Sequence, residues 1–351
     1  SLLAGFDAGR IAALARAASI VENQRPGFER LLAAMYPRIG RARRIGITGP
    51  PGAGKSTLTT ELVRLLRTRN LSVAVVAVDP TSPFTGGALL GDRIRMEEIA
   101  LDSRVFIRSM ATRGSLGGLA SATRDVADVV DAFGFDRVIV ETVGVGQSEL
   151  DIRRTADSSI VVLVPESGDS IQTLKAGLME IADIFVVNKS DRPGADRLRH
   201  ELELMLGLRA GNTFRNVPAH HGVDIDRLPG NQARAARVAA SAGDDTSWTP
   251  PVLRAVASEG EGIAEITDAS DRHFHYLETT GALTERRRQR LRERVVESVE
   301  RTLRRRLWQD VETTAWLDGQ LAGLEDGDVT PFDVAAALLK RSANLIARVK
   351  T

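Results

Sequence analysis

Apolar residues recur along this chain in two alternating periods. Residues 7–24 place Ile11, Leu14, Ala18 and Val21 on one side of a helix, with Asp7 at the N-cap position. A second helix is predicted over 27–36, after a break at Pro26-Gly27. From residue 44 the pattern changes to short apolar runs separated by helical stretches. The runs cover 44–48, 71–78, 105–109, 135–140, 159–164, 184–187 and 251–255. The run 71–78 (LSVAVVAV) is almost unbroken and rich in β-branched residues, as in strands covered on both faces. Between them, helices are predicted after residue 56, with Leu58, Leu62, Leu65 and Leu66 facing inward, and over 93–100 and 119–133. Strands alternating with helices predict an α/β fold with a mostly parallel central sheet. After residue 261 the period is helical again, over 262–279, 284–308 and 331–348. The middle helix aligns Leu291, Val295, Val299, Leu303 and Leu307, and the last carries Val334, Leu338, Leu339, Leu345 and Ile346. Thr330 and Pro331 fit an N-cap with proline at the first helical position. Residues 207–249 lack a clear period and read as an irregular insertion. The expected organisation is a helical lead-in over 1–42, an α/β domain over 43–265 and a helical extension over 266–351.

Composition narrows the function classes. In 351 residues, 43% are hydrophobic and 26% charged, enough to bury a core in one or two domains. The net charge of +1 argues against a general binder of nucleic acid. No apolar run is long enough to span a membrane, and no signal peptide is visible. The absence of cysteine removes disulfides and thiolate metal sites and fits a cytoplasmic location. The five histidines have no metal-ligand spacing, and His273 and His275 would face opposite sides of a helix. Residues 284–308 carry ten Arg against four Glu, without interleaved aromatics. That pattern reads as the solvated face of a packing or dimerising helix rather than a nucleic-acid surface.

The chemistry concentrates at the ends of the predicted strands. After 44–48 comes Gly49-Pro50-Pro51-Gly52-Ala53-Gly54-Lys55-Ser56-Thr57, which fits G-x-x-x-x-G-K-[ST] between a strand and a helix. Glycines let the backbone turn its N–H groups inward as an anion nest, and the helix N-terminus adds its positive end. Lys55 would reach the β- and γ-phosphates and Ser56 would hold Mg²⁺. Acidic residues at or beyond strand ends, Asp79, Asp92 and Glu141, are candidates for the metal and its surroundings. Gly144, Gly146 and Gln147 follow as a second switch near the γ-phosphate. Arg108 and Arg113 could neutralise developing charge, although surface roles fit them better. Asn188-Lys189-Ser190-Asp191 is N-K-x-D at a strand end. The Asp191 carboxylate can accept from N1–H and the 2-amino group of guanine, Lys189 can lie along the base, and Asn188 can brace the loops. Val256, Ala257 and Ser258 follow the strand predicted over 251–255, and the Ala257 N–H could meet guanine O6. Only five of the 47 basic residues are lysine, and two of them sit in these motifs, which singles out a third, Lys175.

GPPGAGKST, VAVDPTSP, GDRIRM, VIVETVGVGQSE, LKAGLMEIAD and VVNKSD occur in that order. Together with the helical flanks they resemble the MeaB/ArgK family of P-loop GTPases, associated with methylmalonyl-CoA mutase. The resemblance implies a P-loop NTPase three-layer sandwich of the SIMIBI class, with N- and C-terminal helical extensions through which such proteins form homodimers. It implies Mg²⁺ as cofactor and GTP and GDP as ligands. It also implies a chaperone that gates cofactor loading and protects an adenosylcobalamin-dependent methylmalonyl-CoA mutase. By family analogy Asp79, Asp92 and Glu141 are the acidic switch positions, and residues 167–177, with Gln172 and Lys175, couple to the partner. The 207–249 region departs from the compact linker the family leads one to expect. Two alternatives remain: a kinase of a periplasmic amino-acid-binding protein in lysine/arginine/ornithine transport, or a metallochaperone-type GTPase. The lack of cysteine and of a histidine tract counts against the latter.

Overall fold

The computed structural model describes residues 1–79, 96–111, 116–142, 148–165, 176–209 and 247–343. The strands are β1 (Arg43–Thr48), β2 (Val73–Asp79), β3 (Val105–Ala111), β4 (Arg137–Glu141), β5 (Ser158–Leu163), β6 (Ile184–Val187) and β7 (Val252–Arg254). They form one sheet in the order β3-β2-β4-β1-β5-β6-β7, and each neighbouring pair runs parallel. β1 leads through the next helix to β2 on one side of the sheet, while its neighbour β5 leads to β6 on the other. The carboxyl end of β1 therefore opens at a topological switch point, where open α/β sheets bind ligands.

The strands are apolar on both sides because both sides are covered. Val76, Val140, Val161 and Phe185 enter one core, while their neighbours Val75, Ile139, Ile160 and Ile184 enter the other. The first core is closed by the N-terminal helices α1 (Leu2–Asp7), α2 (Ile11–Glu22) and α3 (Phe28–Met35), through Phe6, Leu14, Val21 and Met35. Helix α6 (Leu116–Phe133) packs there too, with Phe133 edge-on to Phe6 at 5.0 Å. The second core is closed by α4 (Lys55–Thr68), α5 (Glu97–Ala100) and α10 (Ile263–Thr279), through Leu58, Leu62, Ile99 and Ile266. Each such fully buried aliphatic side chain contributes about 1.5–3 kcal/mol. Helices α7 (Ser148–Thr155), α8 (Ala176–Ile181) and α9 (Ala195–Arg209) complete the layers of this part.

Packing divides the chain into residues 1–284 and 285–351, and the boundaries expected near 42 and 265 both lie inside the first unit. The second unit contains most of α11 (Ala282–Trp308), then α12 (Val311–Asp318), α13 (Leu321–Glu325) and α14 (Pro331–Arg341). Thr330 caps α14 in a reciprocal pair with Asp333, with Pro331 at the first helical position, as the sequence predicts. The apolar stripe of α11 is not covered by the described residues: Leu291, Val295, Val299 and Leu303 are 44%, 64%, 51% and 37% exposed.

Two local expectations change. Asp7 does not cap the long N-terminal helix, because that stretch is two helices. Gly9 turns the chain at φ +70, Arg10 occupies the next N-cap, and Asp7 instead accepts from Arg38 Nη1 at 2.7 Å. Helix α9 runs to Arg209, into the region expected to be irregular, and residues 210–246 lie outside the described residues.

A buried charge cluster ties the lead-in to the sheet. Arg44 on β1 donates to Asp128 Oδ1 at 2.7 Å and to Asp131 Oδ2 at 2.6 Å. Asp131 also accepts the backbone N–H groups of Gly40, Arg41 and Ala42 at 2.9–3.1 Å. Burial alone would make the Arg44 guanidinium easier to deprotonate, but the Asp128 and Asp131 charges hold its pKa well above the ordinary value. Asp131→Ala removes one partner and leaves the guanidinium buried. The expected loss is about 3–5 kcal/mol of unfolding free energy, read by urea titration, and a loss under about 1 kcal/mol would refute the role given to this cluster.

Candidate functional site

The loop after β1 is shaped by positive φ angles at Gly49 (137°), Gly52 (76°) and Gly54 (85°). Space is as restrictive as angle here. A Cβ on Gly49 would lie 2.1 Å from the Val162 carbonyl oxygen, and one on Gly54 would lie 2.3 Å from Asn188 Nδ2. Gly54 is also the N-cap of α4 and supplies no side-chain cap, so the helix presents its N-terminal amides to the loop. Lys55, the first helical residue, is 7% exposed. Its ammonium donates to the carbonyls of Gly49 at 2.9 Å and Pro50 at 3.0 Å, which holds it inside the curve of the loop.

Parallel pairing brings the ends of three strands together. Glu141, the last residue of β4, is in register with Ile47 of β1 and Ala77 of β2, two residues before Gly49 and Asp79 respectively. The Glu141 carboxylate is 3% exposed and sits over the first turn of α4. Ser56 Oγ donates to Oε1 at 2.6 Å, and Thr59 Oγ1 donates to Oε2 at 2.8 Å. Beside them the Thr142 hydroxyl donates to the Thr48 hydroxyl at 2.8 Å, linking the chain after β4 to the start of the glycine loop.

The N-K-x-D segment follows β6 and reaches back to the same loop. Asn188 is 2% exposed; its Nδ2 donates to the Ala53 carbonyl at 2.8 Å, and its Oδ1 accepts the Ala257 N–H at 3.1 Å. The bracing expected of Asn188 is therefore present. The Ala257 N–H expected to meet guanine O6 donates to Asn188 Oδ1 in this structure. Lys189 adopts φ +54, turning the chain so that the Asp191 side chain is exposed. Arg254 on β7 supports the turn by donating to the Ser190 carbonyl at 2.9 Å.

Hydrogen bonds thus link Lys55 and Asn188 to the glycine loop, Ser56 to Glu141 and Asn188 to Ala257, and Thr57, Lys189, Asp191, Val256 and Ser258 adjoin these residues in the chain. Asp79 ends β2 on the same edge of the sheet. Asp92, Arg113, Gly144, Gly146, Gln147, Gln172, Lys175, His220 and His221 lie outside the described residues. Arg108 is directed elsewhere: its Nε donates to Glu22 Oε2 of α2 at 2.9 Å, so it serves the lead-in. His275 is exposed while His273 is buried, as the helical spacing predicts. His273 lies between Ser158 Oγ, at 2.7 Å from Nδ1, and Asp183 Oδ1, at 3.2 Å from Nε2. Sequence reasoning missed Thr59. The one available signal was a hydroxyl at the position after Leu58, on the inward side of an otherwise leucine-lined helix.

Among the described residues no group of three or more His, Asp or Glu could hold a metal alone. Mg²⁺ does not need one, since it is bound by one or two carboxylates together with substrate phosphates. The buried Ser56 hydroxyl and Glu141 carboxylate are hard oxygen groups beside the glycine loop, and they fit that requirement. No helix among the described residues is long and apolar enough to cross a membrane.

Known proteins resemble this chain over most of its length. A protein from Pyrococcus abyssi (strain GE5 / Orsay) described as a putative GTPase is 43% identical over 336 residues, covering 93% of this chain and 92% of that protein. The mouse protein described as "Methylmalonic aciduria type A homolog, mitochondrial" is 31% identical over 300 residues, covering 82% of this chain and 65% of its own length. The crystal structure of a protein described as "LAO/AO transport system kinase" superposes with a TM-score of 0.65 at 28% identity, over 97% of this chain and 95% of the other. The family model described as "Methylmalonyl Co-A mutase-associated GTPase MeaB" matches residues 14–312. Phosphate loop, buried acid and N-K-x-D segment stand together in a chain that belongs to the MeaB family of P-loop GTPases.

Proposed function

We propose that this chain hydrolyses GTP to GDP and phosphate with Mg²⁺, and that its nucleotide state sets its affinity for an adenosylcobalamin-dependent methylmalonyl-CoA mutase. The observation that carries the hydrolase reading is the buried contact of Glu141 with Ser56, the hydroxyl of the G-K-S triplet, at 2.6 Å. Loop amides and the α4 N-terminus bind the phosphates, and Lys55 places a compact positive charge against them. Ser56 and Glu141 hold the metal side, and Asp79 ends β2 on the same edge of the sheet. Mg²⁺, when bound, neutralises charge on the β- and γ-phosphates. Asp191 selects guanine while Lys189 lies along the base. Gly144, Gln147 and the 167–177 segment, with Gln172 and Lys175, carry the nucleotide state to the partner, so that cofactor loading and protection of the mutase follow the hydrolytic cycle. The family description, with mutase association in its name, supports this partner. A second reading, phosphoryl transfer to a protein, is favoured only by the superposed crystal structure being that of a protein called a transport system kinase.

Lys55→Ala is expected to abolish GTP binding in calorimetry. Asp191→Asn is expected to shift the preference from GTP toward XTP, since the amide donor suits the 2-oxo group of xanthine. Equal binding of ATP and GTP by the unmodified protein would sink the base assignment.

Pull-down with a non-hydrolysable GTP analogue and with GDP is expected to recover a cobalamin-dependent mutase to different extents. Recovery of none in either state would end the chaperone reading. With GTP labelled at the γ-phosphate, label is expected in inorganic phosphate; label on protein would carry the kinase reading instead.

The exposed stripe Leu291, Val295, Val299 and Leu303 supports a homodimer through the C-terminal extension. Val295→Arg combined with Val299→Arg is expected to lower the mass seen by sedimentation from dimer to monomer. A monomer before substitution would exclude the assembly.

A further inference from the structure

We propose that Thr59 is a positioning residue for the metal side of the site: it fixes the Glu141 carboxylate, which in turn aims the Ser56 hydroxyl. The inference rests on the Mg²⁺-GTPase reading above. Ser56 and Thr59 are three residues apart on α4, so both reach the same side of the helix. Each donates to a different oxygen of one carboxylate, Ser56 to Oε1 at 2.6 Å and Thr59 to Oε2 at 2.8 Å. Thr59 is 0% exposed, Glu141 is 3% exposed and Ser56 is 9% exposed, so the arrangement is shielded from water.

The direction of the Thr59 hydroxyl is the informative feature. A helical threonine commonly turns its hydroxyl back to the carbonyl four residues earlier. The next residue does so, since Thr60 Oγ1 donates to the Ser56 carbonyl at 2.9 Å. Thr59 donates across to β4 instead. A serine hydroxyl has one proton and two lone pairs. While Glu141 Oε1 takes that proton, the lone pairs of Ser56 face away from the carboxylate and suit a cation. A carboxylate free to rotate would leave the direction of that proton unset, and orienting the hydroxyl would then add to the cost of binding the cation. Thr59 restrains that rotation by holding the second oxygen. Outer partners of metal ligands typically change metal affinity about 10–100-fold.

The test separates hydroxyl from methyl at residue 59. Wild type, Thr59→Val and Thr59→Ser are loaded with a fluorescent GDP analogue, and its release is followed against Mg²⁺ concentration and in EDTA. Thr59→Val keeps the shape and loses the donor; Thr59→Ser keeps the donor and loses the methyl. Thr59→Val is expected to need about tenfold more Mg²⁺ for half-maximal retention, with unchanged affinity in EDTA, while Thr59→Ser stays near wild type. The opposite order, Val near wild type and Ser impaired, would assign residue 59 to packing and overturn the inference. Equal weakening by Val with and without Mg²⁺ would overturn it as well. Should valine prevent folding, Thr59→Ser against Thr59→Ala, both lacking the methyl, gives the same comparison. If wild type retains the analogue in a Mg²⁺-dependent way and no variant differs, only the role of Thr59 fails. A wild-type protein that binds no guanine nucleotide removes the function reading itself, and this inference with it.

Discussion

A carboxyl group out of water must find hydrogen-bond partners in the protein, and the tip of β4 puts one there. Glu141 is 3% exposed, so hydroxyls must face it, and α4 supplies them from its first turn. That requirement fixes the rotation of α4 about its axis. With Ser56 and Thr59 turned to β4, Leu58, Leu62 and Leu66 are left to enter the core beneath the sheet. The helix N-terminus meets the glycine loop because Gly54, the last residue of that loop, is its N-cap. A local demand for satisfied polar groups and a global demand for apolar burial thus select one orientation, which is the consistency expected of a foldable sequence.

The parallel sheet and the glycine loop were legible because their signals are local. Strands covered on both faces need unbroken apolar runs, and a backbone that closes on Val162 and Asn188 allows no Cβ at Gly49 or Gly54. The capping of α14 was readable for the same reason, since Thr330, Pro331 and Asp333 are neighbours. What the sequence concealed depends on partners far along the chain. Arg108 is answered by Glu22, Arg44 by Asp128 and Asp131, and His273 by Ser158 and Asp183. Nothing near those residues announces the pairing. Thr59 escaped because a threonine among leucines looks like a helix filler until β4 is placed beside it. Asp7 was misassigned because the helical period continues across the turn at Gly9.

The helical lead-in is more than a wrapper. Its residues supply part of one sheet core, and the linker that follows it gives three N–H groups to Asp131. Arg44, gripped by the same aspartate, lies on the strand that ends in the glycine loop. The buried Arg44, Asp128 and Asp131 cluster therefore anchors the linker after the N-terminal helices to β1, and Glu22 with Arg108 adds a second attachment on β3.

Asn188 ties the segment after β7 to the glycine loop with one side chain, through Ala257 on one side and Ala53 on the other. In the proposed nucleotide site the base half and the phosphate half are consequently not independent receptors. A ligand fragment carrying only a purine, or only a polyphosphate, meets a surface whose shape is partly maintained by the half it does not touch. The free energies of two such fragments should not sum to that of the joined nucleotide.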